Sequence, residues 1–193
     1  MSSHAYHHGN LPRAVLDAAL QAVLDVGPSQ VSLRDLARRA GVSHAAPAYH
    51  FGSKAGVLTS LAAEGFRLLA DRLAAELESG GGFLEVGVAY VHFAVEHRAY
   101  TQVMFRPDLY DAGRDDVVQA RAAATDVLTR GVAALPPEQR GADPRIASVA
   151  AWSLVHGFAD LWLSGALPTA TGGDLTKEAR AVARFLFDKG SGT

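Results

Sequence analysis

Apolar residues recur at steps of three and four along almost the whole chain. Leu16, Ala19, Leu20 and Val23 predict a first helix from Leu11 to Val26, and "VGPSQ" ends it. Ser32 is placed to cap a second helix, with Asp35 three residues later as a capping-box partner. Leu33, Leu36, Ala37 and Ala40 form its inner face, and Gly41 supplies the stop. Ser43 is expected to cap a short third element that contains Pro47. Ser53 is expected to cap a long fourth helix with the stripe Val57, Leu58, Leu61, Phe66, Leu69 and Leu73. "ESGGG" at 78–82 is the clearest break. Beyond it, four more segments keep helical periodicity, the first running unbroken over 83–105, and Gly or Pro punctuates each gap. No segment alternates as a strand would, and no repeat stands out. The expected fold is all-α with about nine helices.

Residues 32–54 form two short helices joined by a tight glycine turn, a helix-turn-helix pattern. Proline inside a helix costs about 3 kcal/mol or more. The cost falls in the first turn, where amides have no intrahelical acceptor. With Ser43 or His44 as the cap, Pro47 sits at the edge of that turn and serves as an apolar plug. His44, Ala45, Ala46, Ala48 and Tyr49 would then be exposed, with His50 and Lys54 beyond. Such side chains can donate to phosphate or touch base edges. A plain helical hairpin in an all-α protein reads equally well from local pattern alone.

Composition narrows the class. The 193 residues are 49% hydrophobic and 20% charged, ordinary for a globular protein. No uninterrupted apolar run of about 18 residues is found, and no signal peptide, so neither a membrane partner nor secretion is expected. With no cysteine, disulfides and Cys-ligated zinc are excluded, and a cytoplasmic location fits. The net charge is −2, but residues 1–54 carry five cations against three carboxylates. A mildly basic head on an acidic body suits contact with phosphate at one end.

"SLRDLARRAGVSHAAPAYHFGSKAGVL" resembles the DNA-binding segment of tetracycline-repressor (TetR)-type regulators. The shared pattern is a helix with alanine four before glycine, then G-V-S, a short helix ending in an aromatic/His-Phe pair, and S-K opening a long helix. "HHGNL" and "AWSLVHGFADLW" are similar to one subgroup, whose C-terminal domain carries a Trp-His-Gly element. The resemblance is specific over residues 7–60 and weaker over 83–193. It implies that Ser32 and Arg34 touch phosphate. His44, Ala45 and Ala46 would open the recognition helix and face bases, with Ser43 beside them in the DNA-binding set, while Tyr49, His50 and Lys54 would grip the backbone. One position departs: many members carry an aromatic where this chain has Ala48.

The same resemblance implies a homodimer on a double-stranded DNA operator, formed through the last two helices, and a small-molecule effector. Two stripes near the C-terminus agree with pairing: Ala147, Ala151, Val155 and Phe158, then Val182, Phe185 and Leu186. An ordinary core reading of those stripes stands beside it, since any amphipathic helix buries one face. Candidate effector-lining residues are Phe66, Tyr90, Phe93, Tyr100, Met104, Phe105 and Trp152, with His97 and His156 as polar orienters. Each competes with a core role. The expected division is a DNA-binding domain at 1–55 and an effector and dimerisation domain at 56–193.

Other classes are less well supported. His4, His7 and His8 lack a spaced carboxylate to complete a metal site, and His92 and His97 are five apart rather than four. No G-x-S-x-G and no phosphate loop followed by GK[ST] occurs, and Asp115 and Asp116 point apart on a helix, so no catalytic residue and no cofactor is expected. A helical small-molecule-binding protein or enzyme without DNA binding is the alternative. It would leave His44, Tyr49, His50 and Lys54 without a role.

Overall fold

A computed structural model describes residues 11–140, 142–167 and 173–185. Among these it has ten α-helices, one 3₁₀ turn at Pro28–Gln30, and no strand. The helices are α1 (Leu11–Val26), α2 (Leu33–Ala40), α3 (Ala46–Phe51), α4 (Lys54–Glu78), α5 (Gly82–Glu96), α6 (Arg98–Met104), α7 (Asp115–Ala133), α8 (Pro137–Arg140), α9 (Pro144–Ser164) and α10 (Leu175–Arg184). The eight segments read from the sequence become ten helices through the short α8 and a break at His97, which splits the expected 83–105 helix. No Gly or Pro marks that break, so periodicity could not find it.

Contacts divide the chain into two compact units. One is Met1–Gly65 with Ala99–Val118; the other is Phe66–Arg98 with Gln119–Thr193. The expected boundary at 55/56 lies inside α4, which is a single unbroken helix.

In the first unit α1, α2 and α3 pack on one another over Val15, Ala19, Val23, Leu36, Ala37 and Pro47. The first turns of α4 bury Val57, Leu58 and Leu61 completely. Arg13 ties α1 to α4, donating to Glu64 at 2.5 Å and to Asp17 in its own helix. α6 comes close to α4 because Gly65 has no side chain. A Cβ there would stand 2.6 Å from Met104 Sδ and 3.1 Å from Tyr100 Cβ. The loop after α6 is clipped to the same helix. Tyr110 donates to the Met104 carbonyl, and the Asp111 amide donates to the buried Thr59 hydroxyl.

In the second unit α5, α9 and α10 form a mutually packed trio. Gly87 sits where they meet, its position facing Val155 and Ala183. Arg180 clasps Glu85 with two hydrogen bonds of 2.8 and 2.6 Å, joining α10 to α5. His92 and Thr176 join the same two helices at 2.9 Å.

The 21 residues of α9 have a mean hydropathy of 1.3 over their most apolar window, enough to cross a membrane by length and composition alone, a test that core helices also pass. Arg145, His156 and Asp160 lie within the helix, so it holds no uninterrupted apolar run.

Gly41 closes α2 with φ 65° and ψ 30°, the left-handed region. No atom lies within 4 Å of where its Cβ would be, so substitution costs only backbone conformation. Gly41→Ala is expected to destabilise the fold by about 1–2 kcal/mol. Urea denaturation should show a lower midpoint at unchanged slope.

Candidate nucleic-acid interface

The α2–α3 motif is built by local hydrogen bonds that the sequence specifies. The Ser32 hydroxyl accepts from the Asp35 amide at 3.3 Å and caps α2. At the other end the Val42 amide reaches back to the Ala37 carbonyl at 3.0 Å, and Gly41 to Arg38. This Schellman-type closure reverses the chain within a few residues. The expected Asp35 capping box takes another form: its carboxylate oxygens accept from Arg38 and Arg39 instead.

The start of α3 also differs from expectation. Its N-cap is Ala45, with no side-chain cap, and the Ala46 amide donates to the Ser43 carbonyl. Neither Ser43 nor His44 caps the helix. The later start puts Pro47 well inside the first turn, where its missing amide has no acceptor to lose. Pro47 is buried with Ala46 as the inner face of α3. Ala46, expected to face bases, is therefore turned into the unit at 8% exposure, because a six-residue helix held down by Pro47 must bury its neighbour as well.

Ser32, Arg34, Ser43, His44, Ala45, Ala48, Tyr49 and His50 are exposed. Tyr49 is 85% exposed, its ring edge-on to His50 with centroids 5.1 Å apart. Lys54 is half-buried and its ammonium donates to the Ser29 carbonyl at 3.0 Å, so it also ties α4 to the 3₁₀ turn. Ser32, Arg34 and His44 line one concavity of about 280 Å³, together with Asp35 and Arg38. Sequence reasoning overlooked those last two. Their signal was the spacing of three from Ser32 to Asp35 to Arg38, one face of α2.

The effector candidates fall into both units. Tyr100, Met104 and Phe105 belong with the first, and Phe66, Tyr90, Phe93, His97, Trp152 and His156 with the second. Phe66, Tyr90, Phe93, Tyr100 and Met104 are buried. In the second unit Tyr90 Oη lies 2.7 Å from His156 Nδ1, and Trp152 Nε1 donates to the same Tyr90 oxygen at 3.4 Å. Burial pushes the Tyr90 hydroxyl up to about 12. The Phe93 and His97 rings meet at a 38° tilt with centroids 4.7 Å apart.

The stripe expected between subunits is largely spent inside one. Ala151, Val155 and Phe158 are buried within the second unit and Ala147 is half-buried, because this side of α9 faces α5 and α10. The apolar side of α9 left exposed carries Ile146, Val149 and Leu161 at 45–52% exposure. On α10 Val182 is half-buried, and Phe185 just beyond it is 77% exposed. Leu186 and the histidines at 4, 7 and 8 lie outside the described residues. Among the described residues no group of three His, Asp or Glu is placed to hold a metal.

Comparison with known proteins covers both halves. Residues 15–61 match the family model of "Bacterial regulatory proteins, tetR family", and residues 83–186 match "Tetracyclin repressor-like, C-terminal domain". The chain is 28% identical to the HTH-type transcriptional regulator BetI of Cronobacter sakazakii over 169 residues, 80% of this chain and 79% of that one. A solved protein of unknown function from Rhodococcus sp. RHA1 is 32% identical with a TM-score of 0.76, covering 96% of this chain and 97% of the other. The regulator FadR from Bacillus subtilis, solved with stearoyl-CoA, shares the fold at 18% identity and a TM-score of 0.68, over 90% of this chain and 96% of its own.

Burial holds the His156 imidazole below its ordinary range, with Asp160 opposing. The folded chain thus takes up this proton at lower pH than the unfolded chain, which does so near pH 6.5. Its contribution to stability is complete above that pH and is lost as pH falls below it. Urea midpoints between pH 7.5 and 5 should fall less in His156→Gln than in the parent.

Proposed function

The chain belongs to the tetR family of DNA-binding, ligand-responsive transcriptional regulators, and from that premise we propose that it works as a homodimeric repressor released from its operator by a small apolar effector. The observation that carries this reading is the α2–α3 motif. Pro47 and Ala46 pin the inner face of α3, and the opposite side offers His44, Ala45, Tyr49 and His50 to solvent. Small residues let that helix approach a major groove, while Arg34, Tyr49, His50 and Lys54 serve as phosphate contacts. With few donors to read base edges, sequence preference leans on DNA shape. The unit that meets DNA is Met1–Gly65 with Ala99–Val118.

The dimer reading rests on α9. It is apolar overall, yet only 22% of its most apolar window is buried. Exposed Ile146, Val149, Leu161 and Phe185 call for a cover, and a second copy of α9 and α10 supplies it. Gly157, with open space around it, permits close helix approach. Two heads about 34–36 Å apart would then enter successive major grooves.

The Trp152, His156 and Gly157 cluster on α9 supports placement in the Trp-His-Gly subgroup. Its first two rings lie 5.7 Å apart and share Tyr90 as a polar neighbour. Tyr90, Phe93, His97 and His156 are the effector contacts we favour. The effector acts by binding one head spacing better than the other, a differential of about 1–3 kcal/mol. As a regulator it needs neither cofactor nor catalysis, and it works in the cytoplasm.

Two measurements test this. Mobility shift on the DNA upstream of the protein's own gene should show affinity falling steeply between 50 and 200 mM salt, by about 10³-fold or more for six or more phosphate contacts. Absent or salt-insensitive binding rejects the DNA role. Ile146→Glu with Phe185→Glu should sediment as a helical monomer, and an unchanged dimer rejects that face.

A further inference from the structure

A carboxylate is out of place on a surface that must meet a polyanion, yet Asp35 lines the concavity beside Ser32, Arg34, Arg38 and His44. Its geometry accounts for it. Asp35 Oδ1 accepts from Arg38 Nη2 at 2.5 Å and Oδ2 from Arg39 Nε at 2.6 Å, and Arg39 in turn donates to Asp25 of α1 at 2.6 Å. Two guanidiniums balance the two carboxylates of this linked set, so Asp35 presents little net charge to DNA. The same pairs, Arg39 first and Arg38 second, hold the Asp35 carboxyl below its usual range.

The two pairs do different things. Arg39 is 24% exposed and joins α2 to α1. Arg38 is 70% exposed, and among the described residues its side chain pairs with Asp35, three residues earlier in its own helix. Exposed pairs of this kind contribute about 0.2–1 kcal/mol to stability, so stabilisation is a poor account of it. What the pair does is limit the rotamers of a long side chain that would otherwise lose freedom on binding. Arg38 is thereby held at the rim of a concavity with a second guanidinium, a hydroxyl and an imidazole around it.

We propose that this concavity seats a backbone phosphate of DNA, with Arg38 as its principal cation and Asp35 as the residue that positions Arg38. The proposal rests on the DNA-binding reading and extends it to two residues that reading does not use. Ser32 keeps its hydroxyl hydrogen for the phosphate while its oxygen caps α2. Arg34 and His44 flank the seat. A planar fork suits a phosphate better than an ammonium does, because two parallel N–H groups can meet two oxygens.

The test uses fluorescence anisotropy of the full chain on two labelled duplexes, one from upstream of its own gene and one unrelated. Arg38→Gln should weaken both about three- to tenfold at 0.15 M salt, and its salt slope should be shallower by about 0.9 for each subunit bound. Arg38→Lys should restore the slope and only part of the affinity. Asp35→Asn should weaken binding even though it removes a negative charge, and should no longer weaken it in an Arg38→Gln background. An unchanged slope for Arg38→Gln, on a duplex the parent binds, overturns the seat. Tighter binding by Asp35→Asn overturns the positioning role. A parent that binds neither duplex removes the DNA-binding reading and this one with it.

Discussion

The direction in which α3 points is set by one reversal of the backbone, the left-handed turn at Gly41 closed by the Val42 amide on the Ala37 carbonyl. A six-residue helix has too few internal hydrogen bonds to hold itself. α3 exists because that turn delivers it to α2 and α1 with Ala46 and Pro47 facing inward. Once those two residues are buried, geometry decides the rest. Ala48, Tyr49 and His50 must face out, and Ser43, His44 and Ala45 must lie on the exposed approach to the helix. Proline is unusually suited to this place. It buries apolar volume, fixes φ, and gives up an amide that had no acceptor.

This also explains what the sequence could and could not reveal. The Ser32 cap, the Gly41 stop and the limits of α1 are local events, governed by residues within one turn, and they read directly from the chain. The start of α3 depends on where the turn after Gly41 sets Pro47 down, so Ser43 looked like a cap and Ala46 looked exposed. The break at His97 is wholly tertiary. Ala99, Tyr100, Val103 and Met104 are buried in the first unit, and Gly65, more than thirty residues earlier in the chain, gives two of them room. No periodicity within 83–105 carries that information.

α9 shows the same limit from the other side. Apolar residues occur around much of its circumference, so a one-dimensional stripe cannot tell which face stays within the subunit. Ala151, Val155 and Phe158 formed the more regular row, and α5 and α10 take it. The looser row of Ile146, Val149 and Leu161, interrupted by Ser153 and Gly157, is left outside. Small residues between larger apolar ones are what close helix packing requires. The irregular row is therefore the better candidate for a partner helix.

Charge follows a comparable logic. A net charge of −2 would oppose DNA at long range, but the field that matters acts within about one Debye length, roughly 8–10 Å. Within that reach of the α2–α3 motif, the carboxylates of Asp25 and Asp35 are each engaged by an arginine, and Asp35 by two. Arg34 and Arg38 are exposed beside His44. Pairing the carboxylates, rather than removing them, leaves the head positive toward a polyanion while α1 and α2 stay tied together. It also makes the affinity depend on the orientation of a few guanidiniums more than on total charge. That dependence is why a neutral substitution at Asp35, which raises the net charge, should weaken the contact rather than strengthen it.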